Sequence, residues 1–251
     1  MGTLSLVFPC YREESHLEAN IDRVIETVAL LKVKYEIILV DDCSPDGTRA
    51  VIEALILKYP DVPIRKVYHE HNQGRGAAFM TGFGVSTGEY VGFFDIDLEV
   101  SAVYMIEALR VLCHKRSDLV VGLRIYKVSF LSFYRHILSR CYRLLVATCL
   151  RIPIALDSES GYKFFRRAAL QKYVGRFHYK GWFWDTEVVT RFYRDGMKVD
   201  SFPCLFIRDG SRRSTLRPIR DSIEYIRNLI GFRRQLSREK RPLVETQCTM
   251  K

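Results

Sequence analysis

Several things are missing from these 251 residues. The seven cysteines (10, 43, 113, 141, 149, 204 and 248) are scattered without a Cys-x-x-Cys pair, so they read as buried or incidental thiols in a reducing compartment. No stretch reaches the roughly 20 apolar residues that a membrane-spanning helix requires. The opening residues show neither the basic start nor the continuous apolar run of a secretory signal. These features predict a protein that is soluble or lies on a membrane surface. Internal repeats and low-complexity tracts are absent as well. With 48% hydrophobic residues, global disorder is excluded.

What is present is unevenly placed. Residues 1–123 carry 12 Lys+Arg and 18 Asp+Glu, whereas residues 124–251 carry 27 and 11. The second half therefore points to an anionic partner: phosphate, a phospholipid surface or nucleic acid. Its aromatics follow core periodicity and no recognised nucleic-acid module appears, so nucleic acid is not expected.

Short apolar runs at Leu4–Phe8, Tyr35–Val40, Ile64–Tyr68, Tyr90–Phe94 and Asp118–Leu123 alternate with helical spacing, beginning with Leu17, Ile21, Val24, Ile25, Val28 and Leu31. This alternation predicts an α/β fold with a largely parallel sheet and helices on both faces. A last strand, Val199–Ile207, contains Pro203 and is expected at an edge. The length fits one domain, 1–236, with a nucleotide and metal half (1–123), an acceptor half (124–236) and a frayed tail (237–251).

Chemistry gathers at the loops. Asp41-Asp42-Cys43-Ser44-Pro45-Asp46-Gly47-Thr48 follows a strand, where open α/β sheets bind ligands. Asn72-Gln73-Gly74-Arg75-Gly76-Ala77 allows close backbone approach, yet it is neither a P-loop nor a full dinucleotide fingerprint. Asp95, Asp97 and Glu99 leave a buried strand; if the strand continues, Asp95 and Asp97 share a face, and such hard oxygen donors suit Mg²⁺ or Mn²⁺. His69-x-His71 lacks further ligands and reads as a strand-end loop. Asp185 and Glu187 fall in the first turn of a helix, and Trp182 and Trp184 suit either stacking or burial.

Placed on a helix, the segment at about 129–151 puts Arg135, His136, Ser139, Arg140 and Arg143 on one side and Phe133, Tyr134, Ile137, Leu138, Leu144 and Leu145 on the other. It is suited either to a membrane interface or to packing on the sheet. A final helix carries the stripe Ile219, Ile223, Ile226 and Ile230 among arginines, facing either the core or lipid.

Four loops in order, Pro9-Cys-Tyr11-Arg-Glu13, Asp41-Asp-x-Ser-x-Asp-Gly-Thr48, Asn72-x-Gly-x-Gly76-x-Ala and Asp95-x-Asp97, resemble the nucleotide-sugar-dependent glycosyltransferases of family 2, which have the GT-A fold. Asp157-x-x-Ser-Gly-Tyr-Lys163, Trp184-Asp-x-Glu187 and Asp209-Gly-Ser-Arg212 resemble the branch that glycosylates dolichyl or polyprenyl phosphate.

The resemblance implies a nucleotide-sugar site at Pro9, Tyr11, Glu13, Val40, Asp42, Ser44, Gly76 and Asp95, and a Mg²⁺ or Mn²⁺ site at Asp95, Asp97 and Glu99. It implies that Arg124, Arg135, Arg208, Arg212 and Arg213 hold donor or acceptor phosphates, with Asp97 and Arg124 catalytic. A lipid phosphate acceptor, largely ionised at neutral pH, needs no general base. A saccharide acceptor needs one, for which Asp185 or Glu187 is the candidate. The expected location is the cytoplasmic face of a membrane, peripherally bound, with a membrane partner protein as a further expectation. The chain departs from the family at Arg12, where asparagine is usual, and at Arg212, where lysine is more usual.

Overall fold

A computed structural model describes the backbone of residues 2–126, 133–207 and 218–239, and the side chains of 2–126, 142–207 and 222–239. The strands are β1 (Leu4–Cys10), β2 (Tyr35–Asp41), β3 (Ile64–Tyr68), β4 (Tyr90–Phe94), β5 (Leu119–Tyr126), β6 (Tyr162–Arg166) and β7 (Val199–Phe206). The helices are α1 (Leu17–Leu30), α2 (Thr48–Lys58), α3 (Arg75–Val85), α4 (Tyr104–His114), α5 (Phe133–Leu150), α6 (Arg167–Gln171), α7 (Trp184–Arg194) and α8 (Pro218–Arg238). The sequence reading did not anticipate α6, a single short turn of helix after β6.

The seven strands lie in the order β3-β2-β1-β4-β6-β5-β7. β6 alone runs antiparallel to its neighbours β4 and β5; the other ladders are parallel. The expected α/β architecture, a mostly parallel sheet flanked by helices, is therefore present. β7 lies at an edge, so Pro203 removes no central ladder bond. Pro9 falls inside central β1, but pairing with β4 ends at Val7, before the proline.

Strand alternation divides the core between the two faces. Leu4, Leu6, Phe8, Ile37, Leu39 and Phe94 pack with α1, α2 and α4. Val7, Ile38, Val40, Val91 and Phe93 pack with α3 and α7, around the fully buried Trp184. Burying each such side chain contributes about 1.5–3 kcal/mol.

A smaller cluster joins α5 to α8 through Val146, Ala147, Leu150, Leu229, Phe232 and Leu236. The apolar residues singled out by periodicity lie elsewhere. Leu144 and Leu145 of α5 and Ile223, Ile226 and Ile230 of α8 are all 43% exposed or more. The isoleucine stripe thus faces outward and a second stripe makes the core contact. The side chains of residues 133–141 and 218–221, including Arg135 and Ile219, lie outside the described residues.

Candidate active site

The carboxyl ends of β1, β2 and β4 bring the first three loops together. Pro9 and Val40 are register partners at the ends of β1 and β2. The Arg12 amide donates to Ser44 Oγ at 3.1 Å and the Glu13 amide donates to Thr48 Oγ1 at 2.9 Å, lashing the first loop to the second. Arg12 has φ 62°, a left-handed backbone that asparagine tolerates better than arginine. Arginine at this position therefore carries some backbone strain. Tyr11 is 37% exposed beside it, and Glu13 is buried.

Asp42 is wholly engaged within the fold. Its carboxylate accepts from the amides of Gln73 (2.8 Å) and Gly74 (2.7 Å), and His69 Nδ1 lies 2.7 Å away. His69 Nε2 in turn contacts Thr81 Oγ1 at 3.0 Å, which accounts for this histidine without a metal. Gly74 has φ 94°, and a Cβ there would lie 2.7 Å from the Lys180 carbonyl oxygen. A Cβ on Gly76 would strike Trp184. The glycines thus bring the start of α3 against residues 180–184, where the Ala77 amide donates to the Lys180 carbonyl.

That close approach delivers Arg75, which sequence reasoning passed over. Its guanidinium lies 2.7 Å from Asp95 Oδ1 and 3.3 Å from Asp185 Oδ2. The aromatic rings of Phe93 and Trp182 flank it, with centroids at 4.9 and 4.5 Å. Asp185 also accepts from Lys163 Nζ at 2.6 Å, and Lys163 donates to the Ser160 carbonyl. Lys163 is fully buried on β6; burial pulls its ammonium down, against the pull of Asp185. Asp95, Asp185 and the Lys163 that closes Asp157-x-x-Ser-Gly-Tyr-Lys163 carried the sequence signal for this cluster, and Arg75 did not.

β4 ends at Phe94, so the expected continuing strand does not form. Residues 95–98 turn instead: the Leu98 amide donates to the Asp95 carbonyl at 3.2 Å and Leu98 has φ 53°. The Glu99 amide donates to Asp97 Oδ1 at 3.2 Å, while the Glu99 carbonyl accepts from the Ile207 amide at 2.8 Å. Asp95, Asp97 and Glu99 accordingly do not converge: among the described residues no three Asp, Glu, His or Cys side chains form a metal-holding group.

Burial pushes the Asp95 carboxyl up to about 6; Arg75 opposes this, while Asp97 and Asp185 reinforce it. One or two hard carboxylates, such as Asp95 with Asp97, fit a divalent cation that takes its remaining ligands from phosphate oxygens.

The loop between α5 and β6 forms the opposite wall. Asp157 is fully buried and accepts from Arg124 Nε at 2.8 Å and Nη2 at 2.9 Å, with Arg143 Nη1 at 3.9 Å. Gly161, four residues on, abuts the carboxylate cluster, since a Cβ there would strike Asp95 and Arg75. Arg143 joins Arg124 although helical periodicity assigns it only to a basic face. Glu187 is likewise internal: it accepts from the amides of His178 (2.9 Å) and Tyr179 (3.0 Å) and from Arg191 Nε (2.8 Å). Two residues apart on α7, Asp185 and Glu187 diverge by about 200°, and only Asp185 joins the cluster of Arg75 and Lys163. Arg208, Arg212 and Arg213 lie outside the described residues. None of the five described cysteines is in a disulfide.

Comparison with known proteins follows this geometry. The family model of glycosyl transferase family 2 matches residues 5–174. The chain is 28% identical over 247 residues to the dolichyl-phosphate beta-glucosyltransferase of Dictyostelium discoideum, covering 92% of this chain and 73% of that one. It is 27% identical over 255 residues to the dolichyl-phosphate beta-glucosyltransferase of Saccharomyces cerevisiae, covering 92% and 74%. Among solved structures, the mannosyltransferase of Pyrobaculum calidifontis in complex with GDP-Man and Mn²⁺ superposes with a TM-score of 0.66. The match has 18% identity over 96% of this chain and 66% of that one, a likeness of fold.

Proposed function

The chain belongs to glycosyl transferase family 2, and from that premise we propose that it transfers a hexose from a UDP- or GDP-sugar to a polyprenyl or dolichyl phosphate, with inversion, at a membrane surface. The observation that carries this reading is the loop 157–161. Its far end abuts Asp95 and Arg75, and its near end holds Arg124 and Arg143 around Asp157. A carboxylate site for a metal-bound diphosphate and a guanidinium site for a second phosphate thus flank one short segment.

In this reading the nucleotide lies over the ends of β1 and β2, beside Pro9, Tyr11, Glu13, Val40, Asp42 and Ser44. Asp95 and Asp97 would hold Mg²⁺ or Mn²⁺, which supplies positive charge to the leaving diphosphate. The Mn²⁺ bound in the Pyrobaculum calidifontis enzyme supports that choice of ion. An acceptor phosphate oxygen attacks the anomeric carbon from the face opposite the diphosphate. The new C–O bond forms as the bond to the β-phosphate breaks, and the nucleoside diphosphate leaves. Arg75 and Arg124 supply fixed positive charge to the two phosphates.

The state of the candidate bases supports a phosphate acceptor. Asp185 is committed to Lys163 and Arg75, and Glu187 to two amides and Arg191. A phosphate monoester with a second pKa of ~6 is already ionised and needs neither. The two dolichyl-phosphate beta-glucosyltransferases point to the same acceptor class.

The outer face of α8 supports a membrane location. Ile223, Ile226 and Ile230 are exposed there with Arg227, Arg233 and Arg234, a pattern that suits an anionic bilayer interface. Among the described residues no helix is long and apolar enough to cross a membrane. Peripheral binding to the cytoplasmic face fits these features.

The test is a donor screen with Mn²⁺ or Mg²⁺, with and without a polyprenyl phosphate, scored for released nucleoside diphosphate. Release that requires the lipid phosphate is the expected result. Release that requires a soluble glycan instead would favour the second reading, elongation of a saccharide.

A further inference from the structure

The acceptor wall holds a carboxylate that the mechanism above does not use. Glu159 lies two residues beyond Asp157, with Oε2 at 4.0 Å from Arg124 Nη2. The Tyr142 and Tyr225 hydroxyls, from α5 and α8, stand beside it and hold its carboxyl down against burial. The Tyr225 hydroxyl also contacts Thr186 Oγ1 of α7 at 2.5 Å, and the Tyr142 and Tyr225 rings stand 5.0 Å apart. Groups from β5, α5, α7 and α8 therefore surround this one side chain, which keeps 21% of its surface open.

The local charge count explains why it matters. Among the described residues, two guanidiniums, Arg124 and Arg143, face two carboxylates, Asp157 and Glu159, a balanced set. A phosphate dianion arriving at the guanidiniums meets both carboxylates. Asp157 cannot yield, being fully buried and bound to Arg124 through both oxygens. Glu159 is partly open and more weakly held.

We propose that Glu159 is the counter-ion that an anionic acceptor displaces from Arg124, and that its carboxylate takes up one proton from solvent as the anion binds. The Tyr142–Tyr225 ring contact and the apolar cluster between α5 and α8 do not involve this carboxylate, so the junction survives the exchange. When the product leaves, the proton returns to solvent. In support, burial pushes the Glu159 carboxyl up to about 7; Arg124 opposes this and Asp157 adds to it. The proposal rests on the reading that a phosphate acceptor sits at Arg124, and Glu159 is a positioning residue for it, not a catalytic one.

The experiment titrates a short-chain polyprenyl phosphate into the full-length enzyme, at about pH 8 so that the acceptor is already a dianion. Calorimetry in buffers of different ionisation enthalpy counts the protons. Uptake approaching one proton is expected, with acceptor affinity falling by up to about tenfold per pH unit above pH ~7. Glu159→Gln should abolish both the uptake and the slope while leaving donor affinity in place. No uptake by the wild-type enzyme overturns the proposal whatever the variant does, and leaves the acceptor reading standing if Arg124→Ala still abolishes binding. Binding that ignores Arg124→Ala overturns both.

Discussion

Asp42, just past β2, and Asp157, in the loop before β6, are both buried carboxylates, and they are held in different ways. Asp42 takes two backbone amides and an imidazole. Asp157 takes the fork of Arg124, with Arg143 behind it. Backbone amides cannot leave, so Asp42 is locked into one arrangement. A guanidinium can hold a second anion beside the first, and in the proposed function Arg124 keeps Asp157 while a phosphate takes the place of Glu159. The same division appears on α7, where Glu187 is held partly by amides and Asp185 by Lys163 and Arg75.

The strongest way to break this comparison is through an amide-held carboxylate. Glu187→Ala leaves buried Arg191 and two amides without their acceptor and should destabilise the fold by about 3–5 kcal/mol. Denaturant unfolding measures it, and a loss below about 1 kcal/mol would contradict the locked role. Arg124→Ala should act on the reaction instead. A fall in kcat/KM of about 10²–10³ for the lipid phosphate is expected, with donor affinity retained, in line with removing one charge-stabilising donor.

A finer test compares the two acids of the 157–159 loop, whose pH effects have opposite sign. Arg124 holds the Asp157 carboxyl below its ordinary value despite burial. Its contribution to stability is therefore present above the unfolded pKa of ~3.9 and lost as pH falls through the lower folded value. Glu159, raised to about 7, binds its proton more tightly when folded. It penalises the folded state progressively from pH ~4.3 up to about 7. In unfolding measured across pH, Asp157→Asn should flatten the acid limb and Glu159→Gln the decline between those two values. The smallest effect is expected at Arg12. Arg12→Asn relieves a left-handed backbone and should raise stability by up to about 1 kcal/mol in the same assay.

The strand-end loops were legible because their polar residues follow each strand directly: Asp42 and Ser44 stand just past β2 and Asp95 just past β4, while Gly76 falls in the first turn of α3. The acceptor half was not, because antiparallel β6 inserts between β4 and β5 and joins residues far apart in the chain. Arg143, Glu159 and Lys163 reach the site on the segments that lead into and form β6, whereas Arg75 is delivered by the close approach of α3 to residues 180–184. Helical phase alone separates Asp185 from Glu187, and applying it would have removed one candidate base. On α8 the isoleucine stripe identified a face but not its direction. Tyr225, Leu229, Phe232 and Leu236 form a second stripe, and contact with α5 decides between them.

Whether the guanidiniums beside loop 157–161 receive a lipid phosphate is measured by the partition of a labelled sugar after incubation with nucleotide-sugar, Mn²⁺ and polyprenyl phosphate, for the wild-type enzyme and Arg124→Ala. Label in the organic-extractable lipid is expected with the wild type, and its loss with the variant. Label confined to water-soluble glycan, or lipid labelling indifferent to Arg124, would contradict that reading.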